Sequence, residues 1–287
     1  MAEWRKYGPQ ACHFVYRAVL REDPNLLGVA RRRVTANFLM QFFRRLYSAA
    51  RLRFALVVLG VGCLFWTVLA LPLGLVLPSR WGVWVGRWMA TLGFRAYLWL
   101  LHIIGLGRFD IAALDALRGA GPLILAVNHP GLLDALMVLS RLPNVTCIFK
   151  ASLMRNPLWG AGARLAGYIR NDLFLGGVNL AVDELHRGSQ LLLFPEGTRS
   201  EPMPLGEFQI GAAYISYRSG IPIQTIIIEQ DSRFLGKGWP WLKRPDMPMH
   251  FRIRLGQRFD PPTNPKAFTL TLHDYFLGEI APLSNGP

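Results

Sequence analysis

Apolar positions in the first hundred residues come in blocks rather than at a fixed period. From Phe54 to Leu77 the chain reads FALVVLGVGCLFWTVLALPLGLVL, 24 residues without a charge, with Arg51 and Arg53 before it and Arg80 after it. As a helix rising about 1.5 Å per residue this block is roughly 36 Å long, enough to cross a hydrocarbon core. Pro72 and Gly74 predict a kink or an early end. A cleaved signal peptide fits poorly, because more than fifty residues precede the block and no small-residue cleavage pattern follows it. The alternative is a buried helix of a soluble core. Trp84–Leu106 has another rhythm: Arg87, Arg95 and His102 fall within about 80° of one another on a helical wheel, among aromatic and aliphatic residues. That pattern predicts an interfacial helix lying along lipid headgroups.

After Gly107 short apolar runs alternate with amphipathic stretches. Strands are expected at Leu123–Val127, Val145–Phe149, Gln190–Phe194, Ile221–Ile228 and Met249–Leu255. Helices are expected at Leu132–Arg141, Pro157–Ala166, Val178–Arg187, Phe208–Arg218 and Pro265–Ile280. Such alternation implies an α/β class, a largely parallel sheet flanked by helices. The chain divides on this pattern into a basic N-terminal segment (1–53), membrane-anchoring helices (54–107) and an α/β domain (108–287).

Composition narrows the class. With 52% hydrophobic and 17% charged residues and a mean hydropathy of +0.25, intrinsic disorder is excluded. The net charge is +14, and residues 1–53 carry +8 of it, eleven Lys/Arg against three Asp/Glu. Because this charge adjoins an apolar block and no nucleic-acid module is evident, the expected partner is a bilayer with anionic headgroups and not nucleic acid. A basic N-terminus stays cytoplasmic, so a single span would place everything after Leu77 outside. The expectation is therefore a kinked or re-entrant two-helix anchor that returns to the cytoplasmic face of the inner or plasma membrane. Gly236–Arg244 interleaves Trp239 and Trp241 with Lys237, Lys243 and Arg244, which suits the headgroup zone or a plain surface loop. Cys12, Cys63 and Cys147 are widely spaced, without a C-x-x-C, and are expected as free thiols.

Two strand-to-loop junctions hold candidate chemistry. In Leu123-Ile-Leu-Ala-Val-Asn-His-Pro-Gly-Leu-Leu-Asp134 a strand runs into a helix, where α/β sheets place ligands. His129 and Asp134, five apart, would diverge on a regular helix, but Pro130 disfavours the α conformation at His129 and lets its ring fold back over the first helical turn. Asp134 then fixes the imidazole tautomer while the other ring nitrogen takes a substrate proton. No Ser or Cys lies in this loop, so the acceptor's own hydroxyl would attack. The alternative is that Asn128 caps the helix and His129 is a polar loop residue. In the second run, Leu191-Leu-Leu-Phe-Pro-Glu-Gly-Thr-Arg-Ser200, Gly197 lets backbone N–H groups approach an anion, Thr198 adds a hydroxyl and Arg199 a phosphate-matching fork. Glu196 would orient Arg199 or a substrate hydroxyl; a surface turn explains the same residues.

Taken together, Asn-His-x-x-x-x-Asp (Asn128–Asp134), Phe-Pro-Glu-Gly-Thr-Arg about sixty residues later (Phe194–Arg199) and Ile-Pro-Ile (Ile221–Ile223) resemble the glycerol-3-phosphate and lysophosphatidate acyltransferase family over roughly Leu123–Ile228. The resemblance implies a membrane-bound enzyme that moves a fatty acyl group from a thioester of coenzyme A or acyl carrier protein to a lysolipid hydroxyl, with no bound cofactor and no metal. It implies His129 as general base, Asp134 as its orienting partner, and Asn128, Glu196, Gly197, Thr198 and Arg199 as substrate-binding. It also implies that Ile221–Ile223 shapes the acyl or acceptor pocket. A backbone donor near Pro130–Gly131 is the expected oxyanion partner. Two positions depart from the family pattern. An arginine expected six residues after Gly167 is replaced by Leu173, with Arg170 three residues early, and a lysine expected after Phe208 is replaced by Gln209. Lys150 and Arg170 are candidates to compensate. The acceptor is then lysophosphatidate, a less charged lysolipid or an amino-acid lipid; a thioester-independent transacylase and a non-catalytic lipid-binding scaffold are the rival activities.

Overall fold

Residues 24–200, 205–231, 245 and 247–284 are described by the computed structural model; Cys12, the first basic residues and the Gly236–Arg244 loop lie outside them. The chain divides into two compact units, Met1–Arg51 and Leu52–Pro287, with the division inside the first helix. That helix, α1 (Pro24–Val76), runs well upstream of the uncharged block and ends four residues after Pro72, whose missing N–H and ring oppose continuation. Its stretch Leu46–Val76 is the one helix among the described residues long and apolar enough to cross a membrane. Only 17% of its most apolar window is buried, so it is not the core helix of a soluble domain.

Leu77 and Pro78 alone separate α1 from α2 (Ser79–Ile103). Leu52 and Ala55 of α1 share an apolar cluster with Tyr97, Leu98 and Leu101 near the end of α2, so the second helix returns alongside the first. At Gly86 α2 touches the domain backbone to backbone: a Cβ there would lie 2.6 Å from the Ala166 nitrogen. The next residue, Arg87, is buried, which corrects the expected polar stripe of this helix. Its guanidinium donates to Ala166 O (3.0 Å), Asn144 Oδ1 (3.3 Å), Ser189 Oγ (2.9 Å) and Glu184 Oε2 (2.7 Å). Arg95 and His102 remain exposed, in a sector they share with Trp81, Trp84, Trp88, Leu92, Trp99 and Ile103.

Seven strands follow: β1 (Gly107–Asp110), β2 (Ile124–Val127), β3 (Val145–Phe149), β4 (Ile169–Arg170), β5 (Gln190–Leu193), β6 (Ile223–Gln230) and β7 (Met249–Phe259). The helices between them are α3 (Asp134–Leu139), α4 (Ala151–Met154), α5 (Gly160–Leu165), α6 (Phe174–His186), α7 (Gly211–Ser219) and α8 (Pro265–Ser284), with a 3₁₀ turn at Ala112–Leu117. The sheet order is β1-β7-β6-β2-β5-β3-β4. All pairings are parallel except β6 with β7, so β2 to β6 run one way and β1 and β7 the other. The class is α/β with a largely parallel sheet.

The central strands are apolar on both faces because both are covered. On one face Leu125, Val127, Leu192 and Ile226 pack with Met137 and Leu139 of α3 and Leu98 and Leu101 of α2. On the other, Ile124, Ala126, Leu191 and Ile227 meet Leu185 of α6, Ile215 of α7 and Phe276 of α8. Register places Ile124 beside Ile223 and Leu191, so the ends of β2, β3, β4, β5 and β6 that follow their last residues share one edge. Ile221–Ile223 lies at the opposite edge, about 17 Å from the residue after Asn128 at 3.3 Å per residue, with Pro222 O accepting from Ile124 N at 3.1 Å. Ile221 and Pro222 lead into β6, which begins at Ile223. The described cysteines, Cys63 and Cys147, are free thiols.

Candidate active site

β2 delivers Asn128 and His129 to the carboxyl edge, flanked by β5 and β6. Asn128 does not cap the helix that follows, whose N-cap position is Leu133. It is buried, donating from Nδ2 to Ile228 O (3.0 Å) and accepting from Ile228 N at Oδ1 (2.7 Å), which ties the end of β2 to β6. This pair of hydrogen bonds joins residues 100 apart and uses one donor and one acceptor of the amide.

With Asn128 held and Pro130 next in sequence, the chain turns through Gly131–Leu133 into α3, whose first residue is Asp134. His129 Nδ1 lies 2.8 Å from Asp134 Oδ2, which also accepts from Gly131 N at 2.7 Å. Gly131 N–H is therefore engaged by the carboxylate. Phe194, from the end of β5, stacks on the imidazole with ring centroids 4.0 Å apart and planes 19° from parallel. Ring orientation is thus fixed on two sides, leaving Nε2, which has no partner among the described residues, for a ligand. The spacing of His129 and Asp134 was visible in sequence; the Phe194 stack was not, since it joins two loops 65 residues apart.

Asp134 is fully buried, and its Oδ1 has no hydrogen-bond partner among the described residues. Burial pushes its carboxyl above the usual carboxylate range, while the His129 ring and the Gly131 N–H oppose the shift without cancelling it.

Glu196 is the second surprise. It is 4% exposed, and both oxygens are occupied: Oε1 accepts from His129 N (3.0 Å) and Ser200 Oγ (2.8 Å), Oε2 from Gly206 N (2.7 Å). Ser200 N donates in turn to His129 O at 2.8 Å. The carboxylate thus clamps the backbone of the histidine loop to the loop after β5. Gly197 takes φ +67, the left-handed conformation that lets the loop turn after Glu196. Gly197 and Thr198 are exposed and Arg199 is half-buried, so these three remain at the mouth.

Lys150 and Arg170 reach the same edge but farther along it. Successive strands lie about 4.8 Å apart, so β3 and β4, two and three strands from β2, set their ends about 10 and 14 Å from the end of β2. Lys150 is exposed. Arg170 is engaged by Asp172 through two bonds (3.0 and 2.6 Å), and Leu173 is exposed beside it. Gln209 lies against the glycine loop, its N donating to Pro195 O at 2.7 Å and its Cγ 3.5 Å from where a Gly197 Cβ would sit.

Comparison with known proteins carries the site to a family. The Acyltransferase family model matches residues 108–229. A lyso-ornithine lipid O-acyltransferase of Pseudomonas aeruginosa is 32% identical over 201 residues, covering 66% of this chain and 70% of that protein. The chain belongs to the acyltransferase family. A 1-acyl-sn-glycerol-3-phosphate acyltransferase of the same organism is 24% identical over 66% of this chain and 74% of that protein. The crystal structure of the Thermotoga maritima 1-acyl-sn-glycerophosphate acyltransferase PlsC shares the fold, with a TM-score of 0.61 at 16% identity over 85% of this chain and 98% of that one. The protein is an O-acyltransferase.

Two substitutions test how this acyltransferase uses its buried acids. Asp134→Asn keeps shape and the Gly131 contact but removes the carboxylate beside His129; with the pair acting in acid–base chemistry, kcat is expected to fall about 10²- to 10⁴-fold. Its thermal midpoint is expected to hold or rise, because a carboxyl whose folded pKa is raised weakens the fold once ionised. Relative to Asp134→Asn, the native protein loses stability as pH climbs from the ordinary carboxylate range through the raised value; thermal unfolding across that range measures it. Glu196→Gln points an amide donor at one of three donors already in place, costing about 1–3 kcal/mol and displacing the His129 backbone. The expected kinetic result is a lower kcat with acceptor KM little changed. A raised KM at unchanged kcat would instead mean that Glu196 binds substrate.

Proposed function

We propose that this protein is a membrane-bound acyltransferase that moves a fatty acyl group from an acyl-CoA or acyl carrier protein thioester to the hydroxyl of a lysolipid, at the cytoplasmic face of its membrane. The observation that carries the reading is the His129–Asp134 pair, Nδ1 held at 2.8 Å and Nε2 open at the carboxyl edge of the sheet. His129 Nε2 takes the proton of the acceptor hydroxyl as its oxygen attacks the thioester carbonyl carbon. Asp134 and the stacked Phe194 keep the ring in one orientation, and Asp134 supports the imidazolium that forms. When the tetrahedral intermediate collapses, the carbon–sulfur bond breaks and the leaving thiolate takes the proton back from Nε2. The largely exposed apolar surface of α1 and the tryptophans of α2 support membrane attachment.

The family default for the acceptor is 1-acylglycerol-3-phosphate. An amino-acid lysolipid is a second reading, favoured by the exposed Leu173 and by the Arg170 guanidinium already paired with Asp172, which together leave a phosphate monoester fewer cations. The lyso-ornithine lipid activity named for one relative agrees with it. The test is acyl transfer by the purified chain in liposomes, with acyl-CoA and acyl carrier protein donors offered against lyso-ornithine lipid and 1-acylglycerol-3-phosphate. Thioester-dependent turnover is the expected result, with lyso-ornithine lipid the better acceptor. Turnover without any thioester would make it a transacylase, and none with any donor would sink the enzymatic role assigned to this pair.

A further inference from the structure

At the amino edge of the sheet, away from His129, an open cavity of about 430 Å³ lies between α2, the 3₁₀ turn and the starts of β3 and β5. Gln190 marks its floor and is six residues before Glu196, about 20 Å along the extended chain. Its walls combine two kinds of surface. Trp88, Leu92 and Arg95 come from the exposed face of α2; Arg118 and Asn144 and the side-chain-free backbone at Gly121 come from the domain.

The charge in this cavity is only partly compensated. Arg95 makes no hydrogen bond or ion pair with any described residue. Arg118 uses only its Nε, donating to Arg141 O at 2.9 Å and facing Asp115 at 3.2 Å, which leaves both terminal nitrogens free among the described residues. Asp115 is shared with Arg141 at 3.1 Å, so one carboxylate serves two arginines and none among the described residues faces Arg95. The apolar side of the cavity continues outward: Trp88 and Leu92 belong to the sector of α2 that also exposes Trp81, Trp84, Trp99 and Ile103, all within about 100° at 100° per residue. Arg95 emerges in the middle of that aromatic sector. Tryptophan flanking an unpaired guanidinium at a cavity mouth is the chemistry of a lipid headgroup with a phosphate at its centre and acyl chains beside it.

We infer that this cavity binds the headgroup phosphate of an anionic phospholipid, held by Arg95 and Arg118 while its acyl chains lie along the tryptophan face of α2. It is separate from the catalytic edge, and it rests on the reading that α2 meets the bilayer. Its role is to seat the enzyme on anionic lipid independently of acceptor or donor.

The experiment uses the full chain purified in neutral detergent and titrated with short-chain phosphatidylglycerol, short-chain phosphatidylcholine or inorganic phosphate, with bound lipid counted by native mass spectrometry and thermal stabilisation recorded. Phosphatidylglycerol is expected to bind saturably, with affinity about fivefold lower in Arg95→Gln and again in Arg118→Gln. Both variants should keep their basal acyl-transfer rate in detergent. A charge-matched control, Arg252→Gln with Arg258→Gln on exposed positions of β7, should bind as the native chain does. Unchanged affinity in the Arg95/Arg118 double variant would overturn the site, and so would an equal loss in the control. Stabilisation by inorganic phosphate alone would reassign the cavity to a soluble anion and overturn the lipid. A chain that fractionates away from membranes and stays monodisperse without detergent would overturn the anchoring reading itself, a result the titration does not depend on.

Discussion

His129→Ala is expected to lower kcat/KM for acyl transfer by about 10³- to 10⁴-fold, roughly 4–5.5 kcal/mol of transition-state stabilisation. The loss has two sources that a second variant separates. Removing the imidazole takes away the proton acceptor, and it also leaves the fully buried Asp134 facing a cavity where its partner was, next to an unstacked Phe194. The second effect costs stability, about 1–3 kcal/mol for the unsatisfied acceptor. His129→Gln retains a donor able to reach Asp134 but offers no basic nitrogen. Both variants should therefore lose activity to a similar degree, while only His129→Ala shows a clear fall in thermal midpoint. Thiol release from the acyl thioester, measured beside thermal unfolding, checks both at once. A His129→Gln enzyme within about tenfold of the native rate would show that the imidazole is not the base.

Arg87→Met is expected to destabilise the chain by about 3–5 kcal/mol, the cost of leaving one member of a buried pair behind. For a unit of this size that lowers the thermal midpoint by roughly 6–20 °C. Four acceptors lose their donor together: Ala166 O, Asn144 Oδ1, Ser189 Oγ and Glu184 Oε2. Glu184 is the member that suffers most. Burial pushes its carboxyl up, but the donors Arg87, Arg187 and Ser189 outweigh that and hold it below the usual glutamate range. The stability this pairing contributes is therefore present above the ordinary glutamate pKa and fades as pH falls through the lowered one, so the gap between native and Arg87→Met should narrow on acidification. Glu184→Gln added to Arg87→Met should recover part of the loss, and a double-mutant coupling near zero would dismiss the pair as a stabilising unit. The network sits at the amino edge of the sheet, so activity per folded molecule should survive.

These two residues also mark the boundary between what could be read from the chain and what could not. The His129–Asp134 contact was legible because it is local: five residues, a proline that disfavours helix at His129, and an acid at the first position of α3. The α/β class was legible for a similar reason, since strands buried on both faces read as short, mainly aliphatic runs such as Ile124–Val127 and the Leu191–Leu193 part of β5. The edge strands β1 and β4 were not, because four and two residues hold no alternation and exist only through ladder bonds to β7 and β3.

Arg87 shows the limit most plainly. On the helical wheel it belonged with Arg95 and His102 as a polar stripe, yet it turns into the domain because its acceptors arrive from residues 57 to 102 positions later. The resemblance implied Asn128 and Glu196 as substrate-binding; in the structure Asn128 also ties β2 to Ile228 of β6, and Glu196 accepts from the His129 and Gly206 backbone and from Ser200 Oγ. What the sequence by itself determined was the chemistry available and the elements that carry it, because residue type, spacing and periodicity act over a turn or a strand. Which polar groups face a ligand and which hold the fold was decided only by tertiary structure, because a buried donor or acceptor must be satisfied wherever the packing places its partner.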